Sequence, residues 1–189
     1  MRLRVPTHPE WVEAVLADFD AFLLDHATNE RKASASALAL AAHYPDRREL
    51  VERCIALAIE ELQHFQQVHA RIAERGLVAA PDTRSEYLRR LTAAFRPGSD
   101  AYFLDRLVTA SIVEARGCER FGLVAAALPE SDLKEFYREI ARSEVRHQGL
   151  FLELARAYFE EAEVAPRLEA MLDEEARVVA ALPIRAALY

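Results

Sequence analysis

Two short stretches of the sequence carry the same pair of metal-binding side chains at the same spacing, Glu61-Leu-Gln-His64 and Glu144-Val-Arg-His147. On a helix, residues three apart share a face, so each pair can grip one cation. Alone, Glu-x-x-His is a weak signal in a chain rich in glutamate. Its context is stronger. Glu30 lies 31 residues before Glu61, and Glu114 lies 30 before Glu144. A proline follows each first glutamate by 15 residues, Pro45 in one half and Pro129 in the other. The halves superimpose with an offset of 84 at the first glutamate and the proline, and of 83 at the second glutamate and the histidine. A helix, a proline turn and a helix bearing Glu-x-x-His therefore occur twice. This repeat predicts that Glu30, Glu61, His64, Glu114, Glu144 and His147 gather round one central point of a helical bundle, the ligand pattern of di-iron and di-manganese carboxylate proteins. Four buried carboxylates would repel one another, and two divalent cations would offset their charge of about −4. Imidazole with carboxylate suits iron or manganese better than metals that prefer thiolate.

Several neighbours bear on that set. Glu119 competes with Glu114, but lies 25 residues before Glu144 and breaks the repeat, so Glu114 is preferred. Glu60 stands beside Glu61, where an acid can orient a ligand histidine, with Arg146 as a candidate to neutralise it. The matching position in the other half is Ser143. Cys54 and Tyr137 each precede a ligand glutamate by seven residues, and Cys118 follows Glu114 by four. Core packing is the leading expectation for these three. His26, one turn before Glu30, either lines the site or packs beside it.

The elements that must hold these residues are helical. Alanine, leucine, glutamate and arginine dominate, glycine occurs only 5 times, and an all-α fold follows. Apolar residues at three- and four-residue steps predict a first helix from near Pro9 to Tyr44, with a bend allowed, stopped by Pro45. Asp46 followed by Glu49 resembles a capping box for a second helix that stops at Gly76. Residues 77–99 form a long connection with a short helix at 84–95. Ser99 or Asp100 is the expected cap of a third helix ending before Pro129, and Ser131 that of a fourth. A fifth helix is expected at about 164–181, before the tail LPIRAALY. Two short-loop helix pairs joined by one long connection, with an extra C-terminal helix, is the topology of a ferritin-like four-helix bundle.

Composition narrows the function classes. The 189 residues fit one domain, with 52% hydrophobic and 29% charged residues. The N-terminus carries no apolar run that could serve as a secretory signal, and no stretch is long enough to span a bilayer. Cys54 and Cys118 are too few for a disulfide framework, so a reduced, cytoplasmic setting is expected. A net charge of −7 argues against broad affinity for nucleic acid, though not against a local basic patch. No glycine-rich dinucleotide fingerprint is visible, so electrons for redox chemistry would come from an external donor.

Longer strings sharpen the reading. The segments HATNERKASASALALAAHYPDRRELVERCIALAIEELQHFQQVHARIAERGL, DRLVTASIVEARGCERFGLVAAAL and FYREIARSEVRHQGLFLELARAYF, with the closing LPIRAALY, resemble the tRNA 2-methylthio-N6-isopentenyladenosine hydroxylase family. The likeness runs from about His26 to the end. It implies iron ligands at Glu30, Glu61, His64, Glu114, Glu144 and His147, the six residues that the repeat selects. It further implies a non-haem di-iron monooxygenase with two iron ions and dioxygen as co-substrate. Its substrate would be the isopentenyl group of a modified adenosine beside the tRNA anticodon. Candidate phosphate contacts are then Arg84, Arg89, Arg90 and Arg96 in the long connection, with Arg2, Arg4 and Arg185 as outsiders. Rival readings are a ferritin-like oxidase of a small molecule or lipid, and iron storage or detoxification. A rubrerythrin-type peroxidase would add a Cys-x-x-Cys module, which this sequence lacks.

Overall fold

A computed structural model describes residues 1–79, 81 and 84–189. Among the described residues there are seven helices and no strand. They are α1 (Pro9–Ala17), α2 (Phe19–His43), α3 (Arg48–Glu74), α4 (Glu86–Ala93), α5 (Ser99–Ala127), α6 (Asp132–Tyr158) and α7 (Glu161–Ala181). Part of the predicted 77–99 connection, residues 80, 82 and 83, lies outside the described ones. The chain divides into two compact units. One holds residues 13–83 and 185–188, and the other holds 1–12, 84–184 and 189.

In the 13–83 unit the predicted first helix is two. Asp18 leaves helical geometry, and its side chain accepts the Ala21 N–H at 3.1 Å, so it caps α2 rather than continuing α1. The helix ends at His43, with Tyr44 in a non-helical conformation before Pro45. The expected Asp46 cap is not observed. The Arg47 N–H bonds the Tyr44 carbonyl at 3.1 Å in a tight turn, which makes Arg47 the cap residue, with no side-chain cap bond. Asp46 is spent inside that turn. At the other end of α3, Gly76 stops the helix as the spacing predicts. It adopts φ 69°, and the Leu77 N–H reaches the Ile72 carbonyl at 3.0 Å, a Schellman motif that needs a residue tolerant of the left-handed region. Phe22 and Leu23 of α2 and Leu50, Cys54, Val68 and Ile72 of α3 fill this unit's core.

In the 84–184 unit, Ser85 caps α4 by accepting the Leu88 N–H at 3.3 Å. The expected Ser99 or Asp100 cap of α5 is not observed either. Gly98 takes the cap position at φ 97°, and Ser99 is already helical. The Pro97–Gly98 turn thus enters the helix through a backbone conformation that side chains resist. Ser131 caps α6 as predicted, accepting the Lys134 N–H at 3.3 Å. The last helix starts at Glu161, a little before the expected 164, and runs through Pro166. Its core includes Phe103, Leu107, Ile112, Phe121, Tyr137, Leu154 and Val164.

A buried carboxylate ties the connection and α7 to α5. Asp105, fully buried, accepts from Arg96 Nη2 at 2.6 Å and Arg167 Nε at 2.6 Å, and from the Arg96 N–H at 2.7 Å. Burial pushes its carboxyl up, but the two guanidiniums outweigh that and hold it below the usual range. A lowered folded value means stability that is present above pH 3.8 and lost as pH falls through the folded value. We therefore expect Asp105→Asn to cost about 3 kcal/mol near neutral pH, at the low end for a broken buried pair because Arg96 can reach water. Melting curves from pH 7 downward check this. The variant's deficit should shrink in acid, and a deficit that persists unchanged would count against it.

Candidate metal centre

The α2–α3 pair brings three candidate ligands together. Glu30 of α2 with Glu61 and His64 of α3 each present one donor atom, all within 4.8 Å of one another. Their exposures are 4%, 1% and 8%. His64 Nδ1 lies 3.2 Å from Glu61 Oε2 and 3.7 Å from Glu30 Oε2. His26, one turn before Glu30, is buried, and its Nε2 stands 2.6 Å from Glu30 Oε1. It therefore packs against this candidate ligand and engages one of its carboxylate oxygens. Burial pushes the Glu30 carboxyl up, but the hydrogen bonds from His26 and His64 win and hold it well below the usual range. Burial pushes the His64 imidazole down, and the bonds to Glu30 and Glu61 outweigh it and raise it to about 10.

The α5–α6 pair repeats the arrangement. Glu114 of α5 with Glu144 and His147 of α6 present donor atoms within 4.8 Å of one another. Glu144 and His147 are buried, at 4% and 2% exposure, and Glu114 is half-buried. His147 Nδ1 lies 3.9 Å from Glu144 Oε2. The spacing works because α5 and α6 are joined by a short proline turn, which sets Glu114 opposite the Glu-x-x-His face of α6.

The chemistry of these donors fits divalent cations. Each triad offers two carboxylates and one imidazole, hard and borderline donors of the kind iron and manganese accept, with no thiolate. Two carboxylates held this close away from water repel each other, and a cation turns that repulsion into coordination.

The remaining sequence candidates fall into place around them. Glu119 is committed elsewhere: it accepts the Thr7 N–H at 3.0 Å and Oγ1–H at 2.7 Å, and it pairs with Arg116. Tyr137 is core, stacked on Phe121 at 6.0 Å, and Cys54 is core as well. Cys118 is half-buried, its Sγ 3.5 Å from the Ala141 carbonyl. Glu60 is half-buried on α3, and Arg146 is exposed on α6. Of the candidate phosphate contacts, Arg89 and Arg90 both bond Glu86, Arg96 bonds Asp105, and Arg4 pairs with Glu169 and Asp173. Arg2, Arg84 and Arg185 are exposed. The sequence reading left the role of His26 open and missed Gly117 and Tyr189, which border the α5–α6 triad. A Cβ at Gly117 would meet Tyr189 Oη at 3.0 Å and Glu144 Oε2 at 3.5 Å.

Comparison with known proteins places this architecture. Residues 1–186 match the family model described as tRNA-(MS[2]IO[6]A)-hydroxylase (MiaE). A Pseudomonas putida protein named tRNA 2-(methylsulfanyl)-N(6)-isopentenyladenosine(37) hydroxylase is 37% identical over 180 residues, which cover 94% of this chain and 86% of that one. A Salmonella typhimurium protein of the same name is 38% identical over 112 residues, 59% of this chain and 41% of that one. Among solved structures, a Synechococcus protein with aldehyde deformylating oxygenase activity superimposes with a TM-score of 0.92 at 34% identity, covering 98% of this chain and 93% of its own. The all-helical fold is thus a ferritin-like bundle. With residues 1–186 of its 189 matched by the family model, the chain belongs to the MiaE family of tRNA hydroxylases.

Proposed function

We propose that this chain is a di-iron monooxygenase that hydroxylates the isopentenyl group of 2-methylthio-N6-isopentenyladenosine in tRNA. The observation that carries this reading is a pair of largely buried Glu-Glu-His triads, one on each helix pair, in a member of the MiaE family. Glu30, Glu61 and His64 with Glu114, Glu144 and His147 would hold two iron ions, the same donors also suiting manganese. When bound, the metals would activate dioxygen so that one oxygen atom enters an allylic C–H bond and the other leaves as water, with two electrons from an external donor. The chain's own residues supply burial and orientation. Burial shields most of the donor side chains from bulk water, and the hydrogen bond to His26 orients the Glu30 carboxylate. The substrate base must reach this site unstacked, which suits the single-stranded anticodon loop better than a duplex. This substrate puts the protein in the cytoplasm, and no helix among the described residues is long and apolar enough to cross a membrane.

The test is the nucleoside content of tRNA from a host lacking this protein. The hydroxylated isopentenyladenosine should vanish while its unhydroxylated precursor accumulates, and should return with the intact gene. Persistence of the hydroxylated form would dispose of the reading. The Synechococcus likeness favours a second reading, an oxidase of a small aliphatic substrate. Unchanged tRNA together with oxygen consumption stimulated by a fatty aldehyde would support that one.

A further inference from the structure

Helix α3 carries two stripes of side chains at three- and four-residue steps. One turns inward and includes Leu57, Glu61, His64 and Val68. The other, made of Glu52, Ile55, Ile59, Leu62, Gln66 and His69, is exposed along its whole length. Its steps alternate between three and four, the spacing of a coiled-coil seam. Ile55 is 45% exposed, and Ile59 and Leu62 are each 54% exposed. From Ile55 to Ala73 the seam holds no lysine, arginine or acid, in a chain whose residues are 29% charged. Ala56, Gln63 and Ala70 flank it on one side and are exposed and uncharged too. Beside it Phe65, with Ile59, Leu62, Gln63, Gln66 and His69, lines a shallow open groove. The bundle itself does not ask for these aliphatic side chains. At the repeat offset of 83, Arg138 and Arg142 of α6 stand where Ile55 and Ile59 do on α3.

We propose that this seam is the contact between two copies of the chain, packed as an antiparallel, isologous pair of α3 helices. The seam reads alike from both ends. About a two-fold axis midway between Ile59 and Leu62, Ile59 meets the partner's Leu62 and Ile55 meets the partner's Gln66, each twice. Further out, Glu52 meets the partner's His69, whose ring N–H can donate to that carboxylate. At the ends Arg48 meets the partner's Ala73, so no like charges face each other. Parallel pairing would instead set Glu52 on the partner's Glu52 and Arg48 on the partner's Arg48, a repulsion that fixes the orientation. Three exposed aliphatics per copy fall short of a standard interface of about 800 Å² per partner, so the dimer should exchange with monomer at about micromolar concentrations. Glu61 and His64 lie on the opposite face of α3, and the proposal therefore stands apart from the metal reading.

Sedimentation velocity on the full chain between about 1 and 100 μM tests this. The parent should move from monomer toward dimer across that range. Ile59→Glu and Leu62→Lys, each alone, should weaken association by at least about tenfold, because each sets a charge in a central apolar layer. Both side chains are exposed in the single chain, so each variant should melt with the parent and take up as much Co(II). Mixing the two variants should restore the dimer. Antiparallel packing sets Ile59→Glu of one copy against Leu62→Lys of the other, and leaves the second central layer unaltered. A parent that stays monomeric at about 100 μM overturns the proposal, as does a dimer that neither variant weakens. If both variants are monomeric and their mixture stays monomeric, the antiparallel register is wrong and the proposal fails. Weaker tRNA binding by variants of a monomeric parent would assign the face to tRNA instead.

Discussion

Glu144→Gln should strip metal from the protein and yet make the metal-free chain more stable. Glu144 is 4% exposed and shares a 4.8 Å cluster with the Glu114 carboxylate. The amide has the same shape but no charge. In the metal-free protein the change therefore removes a repulsion between a buried and a half-buried carboxylate, worth about 3–4 kcal/mol at an effective dielectric near 20. Metal reverses the balance. A cation a thousandfold above its Kd stabilises the folded parent by about 4.1 kcal/mol, and a variant lacking a charged ligand gains much less. Calorimetric melting with and without Mn(II) should show the two proteins exchanging order. Loss of groups that merely support metal ligands costs about 10–100-fold, so hydroxylation by Glu144→Gln should fall by more than about 100-fold. A variant that keeps the parent's metal content and turnover would remove Glu144 from the ligand set. The opposite stability signs separate this from simple misfolding, which lowers both melting points.

What made the six candidate ligands readable is that their signal is local and repeated. Glu-x-x-His needs one helix turn, and the proline 15 residues after each first glutamate marks a tight turn on the way to it. The structure gathers them as two triads, Glu30 with Glu61 and His64, and Glu114 with Glu144 and His147. Helix ends were legible where one side chain decides them, as at Ser131 and Gly76. They were misread where backbone geometry decides. Asp46 has the right chemistry for a cap, but the turn after Pro45 places Arg47 there instead, and Gly98 displaces Ser99 through a left-handed φ that no spacing rule anticipates. Arg116 and Tyr189 were invisible for another reason. Their partners, Glu175 and Tyr87, lie 59 and 102 residues away in sequence, so only the folded chain brings them together. Glu119 looked like a rival ligand because type and spacing cannot show that a carboxylate is already engaged by Arg116 and Thr7.

That engagement leads to the largest expected stability effect in the molecule, at Glu175. Arg116 is fully buried, and so is Glu175. The guanidinium meets both oxygens of this carboxylate, Nε to Oε1 at 2.8 Å and Nη2 to Oε2 at 3.0 Å. Its remaining donors reach Glu119, Thr7 Oγ1 at 3.1 Å and the Val5 carbonyl at 2.9 Å. Four residues of α5, α7 and the N-terminal segment are thus pinned by one fully buried cation. Glu175→Leu keeps the volume, so no cavity confuses the result, but it leaves Arg116 without its bidentate, fully buried partner and with only the part-exposed Glu119 to balance its charge. The expected loss is about 3–5 kcal/mol. For a chain of this size that lowers the melting temperature by about 6–20 °C. Glu119 is 25% exposed, and Glu119→Gln should cost clearly less because water can replace part of what it gives. Adding Arg116→Met to Glu175→Leu should recover part of the loss, since an apolar pair of similar volume needs no compensation for buried charge. If Glu175→Leu melts within a degree or two of the parent, the network is not holding α5, α7 and the N-terminal segment together. Tyr87 loses its acceptor in the same variant.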